Sequence, residues 1–195
     1  MKRIYWRIRN SLAIKVIFST VVLSLAVTGI TGSALNSQLS AGVKEVNLNS
    51  ALAEARSTIF TAEYRFLLAQ GEKDSIVQKV VDDVISSATT LTANENAREV
   101  VFIRSPGNTM ENNYEIASNY LDPKSIPVAM SENVRQKNDL VYQYTKMIYI
   151  TGARIDGLAI GQKVQIPNAG QYEMYIIFSL ANQEQTLDLI SSSLL

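Results

Sequence analysis

The chain has 195 residues, 47% hydrophobic and 18% charged, which is enough for one globular domain and one additional element. It contains neither cysteine nor histidine, which excludes a disulfide framework, thiolate or imidazole metal sites, a Ser-His-Asp triad and a phospho-accepting histidine. The formal net charge is zero, but five of the eighteen basic residues and no acid precede position 16, so residues 16–195 carry a formal charge of −5. That balance argues against nucleic acid as a partner.

An apolar segment follows the basic tail. Residues 16–34, VIFSTVVLSLAVTGITGSA, carry no charge, and a helix of about 20 apolar residues is what the hydrocarbon core of a bilayer requires. Because cationic flanks stay in the cytoplasm, the sequence predicts a cell-membrane protein with a cytoplasmic tail over residues 1–15, a transmembrane helix over 16–34 and an extracytoplasmic remainder. Two alternatives stay open: a signal peptide cleaved after residues 32–34, and a buried helix of a soluble domain.

Two helices are predicted after the apolar segment. The first is long and amphipathic and ends near Gly71; its apolar residues recur at intervals near three, four and seven, as Leu35, Leu39, Val43, Val46, Leu52, Ile59, Phe60 and Leu67. Two interpretations fit this stripe, a dimer seam that transmits movement to the membrane and an ordinary face directed at the core. The second helix follows Asp74, which is placed to cap it; its apolar face contains Val77, Val80, Val81, Val84, Ile85, Ala88 and Leu91.

The character of the sequence changes from helix to strand at AREVVFIRSPGN, residues 97–108. Val100 to Ile103 are apolar on both faces, which predicts a central strand that ends at the Pro-Gly-Asn turn. The polar residues 109–125 predict a loop, and a short helix over residues 126–137 is expected to place Val128 and Val134 in the core. Three strands follow, at residues 140–151, 157–166 and 171–180, and the short connection 167–170 predicts that the last two are antiparallel neighbours.

The end of the chain predicts one more helix. Asn182 and Gln185 have the spacing of a capping box, which opens an exit helix over residues 182–195. The chain is therefore expected to form an extracytoplasmic domain over residues 35–190. It is then expected to leave this domain through the exit helix, towards a second membrane span beyond the residues given.

Three segments resemble a known family. REVVFIRSPGN, IPVAMSENVRQ and GQYEMYIIFSLANQEQTLDLI are together similar to the extracellular portion of actinobacterial sensor histidine kinases of the Mtr type. The resemblance covers much of residues 97–190, whereas residues 109–125 match little. The order of elements also resembles PAS-like or Cache-like sensor domains. The expected fold class is therefore α+β, with a transmembrane helix, a long juxtamembrane helix and a second helix packed on a small antiparallel sheet, and an exit helix.

The resemblance implies a function and partners. It implies a homodimer, a partner response regulator and a cytoplasmic kinase region that would use ATP and Mg, none of which this chain contains. Since the chain has no histidine to phosphorylate, it is expected to be the signal-input module of a two-component sensor rather than an enzyme. The alternative is a membrane-tethered extracellular binding protein without a kinase partner. The gene sequence beyond Leu195 separates the two hypotheses.

The sequence assigns no catalytic, cofactor-binding or metal-binding residue, and the ligand is unknown. Tyrosines on the predicted strands either line a pocket or pack in the core: Tyr142, Tyr144, Tyr149, Tyr172 and Tyr175. Arg98 and Arg104 bracket the first strand and either contact an anion or face water. A hydrolase would depend on carboxylates that are expected to be solvated: Glu173, Asp156, Asp139 and Asp122. Movement is expected to pass through Leu35, Leu39, Val43 and Val46 and through Leu187, Leu189, Ile190 and Leu194.

Overall fold

The computed structural model describes residues 12–89 and 98–181, and the side chains of residues 12–15, 17, 26, 28–46 and 119 lie outside that description. The chain divides into two compact units, of which the one over Val46–Thr186 contains the sheet. In chain order the elements are α1 (Leu12–Leu68), α2 (Asp74–Ala88), β1 (Arg98–Arg104), β2 (Ile116–Ala117), two 3-10 turns (Ser118–Tyr120 and Pro123–Ser125), α3 (Val128–Gln136), β3 (Val141–Ile148), β4 (Arg154–Ile166) and β5 (Gly170–Ser179).

Within these described ranges, no helix combines the length with the apolar character that a crossing of the bilayer demands. Residues 16–34 form part of α1, and their assignment as a membrane span stays a prediction. The predicted exit helix, residues 182–195, lies outside the described part of the chain.

The five strands form one antiparallel sheet in the order β2-β1-β5-β4-β3. The predicted α+β class and the predicted β4–β5 hairpin are therefore both confirmed. The hairpin turns through two residues in left-handed backbone conformation, Asn168 at φ 58° and Gly170 at φ 84°, which asparagine and glycine adopt more easily than other residues. The predicted central position of the first strand is confirmed, because β1 lies between β2 and β5.

One face of the sheet packs against α1 and α2. The buried residues of α1 recur at intervals of four and three, mostly as small alanines that let the helix approach the strands: Ala51, Ala55, Ile59, Ala62 and Phe66. Phe66 meets Phe102 of β1 edge to face, with ring centroids 6.2 Å apart. The interpretation of the predicted stripe as a core-directed face is wrong for Phe60 and Leu67, which are exposed, whereas the dimer-seam interpretation stays a prediction. Phe60 follows the buried Ile59 and therefore points about 100° away from it.

The other face of the sheet is covered by α3 and the 3-10 turns. Met130 and Val134 of α3 pack on Tyr175 and Ile177 of β5 in a second core cluster, so the unit has three layers. The prediction for Val134 is confirmed, and that for Val128 is wrong, because Val128 is exposed. Six residues of helix place these two side chains about 120° apart, so they do not share a face.

Two local predictions were wrong. The segment 109–125 is not only loop, because it contains β2 and two 3-10 turns. Asp74 does not cap α2, since Lys73 occupies the cap position and makes no side-chain cap. Asp74 instead accepts a hydrogen bond from Asn168 Nδ2 at 2.9 Å, which joins the start of α2 to the β4–β5 hairpin.

Candidate functional site

Two buried carboxylates lie on the face of the sheet that α3 and the 3-10 turns cover. Glu99 of β1 is 2% exposed and Glu173 of β5 is 0% exposed. Glu99 lies two residues before Val101, and Glu173 lies two residues before Tyr175. Because Val101 and Tyr175 both belong to the core on this face, both glutamate side chains point to the same face. In the register of the two strands, Glu99 lies opposite Ile177 and Glu173 lies opposite Ile103. Four residues therefore separate the carboxylates along the sheet, about 13 Å.

Glu173 is held by three donors. Arg135 Nε donates to Oε1 at 2.7 Å, and Ser131 Oγ and Tyr175 Oη donate to Oε2 at 2.5 and 2.6 Å. Arg135 Nη2 also donates to Ser131 Oγ at 2.6 Å, so the serine accepts from the arginine and donates to the carboxylate. A buried carboxylate needs such compensation, because burial of a charge without partners is costly. We call these four residues the Glu173 cluster; it fastens α3 to the centre of the sheet.

Two neutral hydroxyl groups donate to Glu99. Ser118 Oγ donates to its Oε2 at 2.5 Å, and Tyr149 Oη donates to its Oε1 at 3.1 Å. The same serine oxygen accepts from the backbone N–H of Val100 at 2.8 Å. This arrangement fastens the first 3-10 turn and the end of β3 to β1.

A glycine makes room for the tyrosine of the Glu173 cluster. Gly161 of β4 lies opposite Tyr175 in the sheet, and a Cβ atom at this glycine would lie 2.4 Å from Cδ1 of the tyrosine ring. Glycine at position 161 therefore permits the ring to lie flat over β4, with its hydroxyl directed at Glu173.

Both tyrosines that contact the carboxylates are held as neutral donors. Burial, followed by the hydrogen bond to Glu173, raises the pKa of Tyr175 well above its usual value. Burial, followed by the negative charge of Glu99, raises the pKa of Tyr149 in the same direction. Since both phenols stay protonated at neutral pH, each supplies a fixed hydrogen bond to its carboxylate.

The tyrosines singled out in the sequence do not form one pocket. Tyr142 and Tyr144 are exposed on β3, whereas Tyr172 and Tyr175 are fully buried on opposite faces of the sheet. Tyr172 Oη accepts from the backbone N–H of Tyr114 at 3.0 Å and thereby holds the loop before β2. Tyr149 and Tyr175 alone reach the carboxylates.

The two arginines that bracket β1 contact protein groups. Arg98 forms an ion pair with Glu54 of α1 and donates to the carbonyl of Ala88 in α2. Arg104 donates to the carbonyl of Met110. Arg98 therefore joins the sheet to both long helices.

The carboxylates considered for a hydrolase are not brought together. The expectation that Glu173 is solvated is wrong, because its side chain is fully buried. Asp156 pairs with Lys146 at 2.5 Å, Asp122 accepts from the backbone N–H of Lys124 at 2.9 Å, and Asp139 is exposed. Among the residues that the structure describes, no three carboxylates gather as metal ligands would.

The residues named for signal transmission fall outside the description. The side chains of Leu35, Leu39, Val43 and Val46 belong to the part of α1 without described side chains, and Leu187, Leu189, Ile190 and Leu194 follow the last described residue. Their role stays a prediction.

Sequence reasoning missed the Glu173 cluster and the Glu99 contacts, although two signals were present. Each glutamate interrupts an otherwise apolar strand, in REVVF and in YEMYIIF, and an acid at a core-facing position requires a partner. Ser131 and Arg135 are four residues apart and therefore share a face of α3.

No protein-family model matches this sequence, and no curated protein matches it either. Function is therefore inferred from the geometry described above.

Proposed function

We propose that this chain is the extracytoplasmic signal-input module of a membrane-bound two-component sensor histidine kinase. The observation that carries the proposal is α1, a single helix from Leu12 to Leu68. Roughly its last five turns pack their buried residues against the sheet. In this proposal, a change in how the sheet holds the end of α1 is passed along the helix towards the anchor. Its apolar first part, preceded by five cations, is the proposed membrane anchor.

The architecture supports a PAS-like or Cache-like identity. Such sensor domains receive a helix from a membrane span and cover it with a small sheet. The antiparallel sheet of this chain, with α1 and α2 packed on one face and α3 on the other, is consistent with that organisation.

Polar contacts with β1, α2 and β4 add to the packing of α1 on the sheet. Glu54 pairs with Arg98 of β1, and Arg65 Nη1 donates to Ser87 Oγ of α2 at 3.3 Å. On the side of β4, Gln162 Nε2 donates to Glu63 Oε1 at 3.4 Å. We propose that a stimulus that alters the sheet or α2 shifts α1 between two arrangements, in the way that a ligand shifts a conformational equilibrium.

The kinase half of the proposal rests on the resemblance to Mtr-type sensors. In it, ATP, Mg and the response regulator act on a cytoplasmic region encoded after Leu195. Sequencing the gene beyond that codon tests this half: an apolar stretch of about 20 residues followed by a kinase region supports it. A stop codon at that point contradicts it and favours the second candidate, a membrane-tethered binding protein.

A second copy of the chain is the proposed partner of α1. Phe60, Tyr64 and Leu68 are 69%, 55% and 65% exposed, and their spacing of four places them in one stripe on the helix. An apolar helical stripe of this kind is how α-helices pair in parallel homodimers. A Tyr64→Cys variant is expected to form a disulfide between copies in membranes, and a Glu132→Cys variant on α3 is not. Equal cross-linking of the two variants contradicts a dimer through α1.

A further inference from the structure

A groove lies between the end of α1 and the β4–β5 hairpin, on the opposite side of the sheet from the Glu173 cluster. Glu63, Leu67 and Gln70 line it from α1 and the turn that follows, and Gln165 and Pro167 line it from the hairpin. Its volume is about 590 Å³, within the range of roughly 300–1,000 Å³ that small-molecule sites occupy. A small ligand therefore fits this groove without any change in the fold.

The groove contains a carboxylate with weak compensation. Glu63 is half-buried, and burial raises its pKa above the usual value. Its hydrogen bond comes from the neutral amide of Gln162, at 3.4 Å. None of the salt bridges among the described residues includes Glu63. A carboxylate that has lost part of its water and has only a distant neutral donor is favourable for a cation.

The other residues that line the groove indicate which chemical groups the rest of the ligand should have. Leu67 is mostly exposed and Pro167 lies across from it, so both offer apolar surface at the groove. The amides of Gln70 and Gln165 offer donors and acceptors but no charge. The groove therefore combines one anion, an apolar wall and neutral polar groups, which suits a cationic head on an apolar body.

We propose that this groove binds a small organic cation, with its ammonium group at Glu63 and its hydrocarbon body against Leu67 and Pro167. The inference of binding depends on the groove alone, whereas the role of the ligand as the stimulus rests on the proposed function. An occupied groove would bridge α1 and the hairpin and so change how the sheet holds the helix.

The test measures binding of benzylamine to the full chain in lipid nanodiscs by calorimetry, with empty nanodiscs as the blank. Benzyl alcohol has the same ring without the charge and is expected to bind at least about tenfold more weakly, because the charged contact is lost. Glu63→Gln is expected to reduce benzylamine affinity by a similar factor, and Leu67→Ser to reduce it as well. Glu132→Gln, a matched loss of an exposed carboxylate on α3, is expected to change nothing.

Several outcomes overturn the inference. It fails if Glu63→Gln binds benzylamine as the unchanged chain does while its near-ultraviolet circular dichroism shows a native fold. It also fails if benzylamine does not bind the unchanged chain. If Glu63→Gln then dissociates a dimer in sedimentation, a second copy occupies the groove instead. Binding without any effect on the output of the complete receptor leaves this site in place and contradicts its role in signalling.

Discussion

Arg135→Met is the substitution that most directly examines the Glu173 cluster. Methionine keeps much of the apolar stem of the arginine but removes its charge and its donors. Glu173, with no exposed side-chain surface, then keeps only the hydroxyl groups of Ser131 and Tyr175. We expect this variant to be clearly destabilised, because a buried carboxylate is left without its cation.

The magnitude follows from the burial of the two partners. Removal of one partner from a buried ion pair costs about 3–5 kcal/mol. The side chain of Arg135 is 38% exposed, so water can replace part of what is lost, and we expect about 2–3 kcal/mol for Arg135→Met. The double variant Arg135→Met with Glu173→Gln removes both charges and is expected to lie within about 1 kcal/mol of the unchanged chain.

The assay is urea unfolding of the full chain in detergent, followed by near-ultraviolet circular dichroism of its nine tyrosines. Arg154→Met removes an exposed arginine and serves as the control, with an expected change within about 0.5 kcal/mol. The reasoning is refuted if Arg135→Met costs no more than this control. It is refuted equally if the double variant is as unstable as the single one.

Three further substitutions test other parts of the structure by the same unfolding assay. Phe66→Ala is expected to cost about 3–5 kcal/mol because it empties a buried position, while Leu67→Ala on the exposed side costs less than about 1 kcal/mol; equal costs would contradict the assignment of the buried face. Gly161→Ala is expected to destabilise by about 1–3 kcal/mol, because its methyl group overlaps the ring of Tyr175, and an unchanged midpoint would mean that the ring lies elsewhere. Glu63→Gln is expected to stabilise the fold at pH 7, because a raised pKa means that the folded state penalises the ionised carboxyl; the gain should disappear as the pH falls and the carboxyl becomes protonated, and a gain that grows at low pH would reverse the sign.

Much of the fold is predictable from the sequence because it follows from periodicity. The apolar residues of α2 repeat at helical spacing. Five members of the predicted set are buried in the core, namely Val77, Val81, Val84, Ile85 and Ala88, and Leu91 lies outside the described residues. The alternation in residues 157–166 and 171–180 likewise identifies the hairpin and the face of it that packs against α1 and α2. In such segments the local pattern and the tertiary packing favour the same structure.

The buried face of α1 is harder to predict because its residues are small. Large apolar residues such as Phe60 were assigned to the stripe, whereas the sheet packs against small ones such as Ala55 and Ala62. A helix that lies close to a sheet needs small side chains at the contact, and alanine gives a weak hydrophobic signal. β2 was missed for another reason: two residues carry no measurable alternation, and their pairing with β1 is fixed by tertiary contacts.

The polar contacts at the candidate site could not be located from the sequence. Glu173 and Arg135 are 38 residues apart, and Glu99 and Tyr149 are 50 apart. Neither pair has a spacing that a helix or a turn would dictate. The packing of α3 on the sheet brings Arg135 to Glu173, and the order of the strands brings the end of β3 near β1. The same holds for the groove, whose two walls meet only because the hairpin folds back on the end of α1.

Single-cysteine labelling in intact cells tests the central claim most directly, because the chain has no cysteine of its own. Glu111→Cys places a thiol at an exposed position of the sheet-containing unit, and Asn10→Cys places one in the basic tail. A membrane-impermeant maleimide is predicted to label position 111 in intact cells and position 10 only after permeabilisation. Protection of position 111 until the cells are opened would contradict an extracytoplasmic signal-input module.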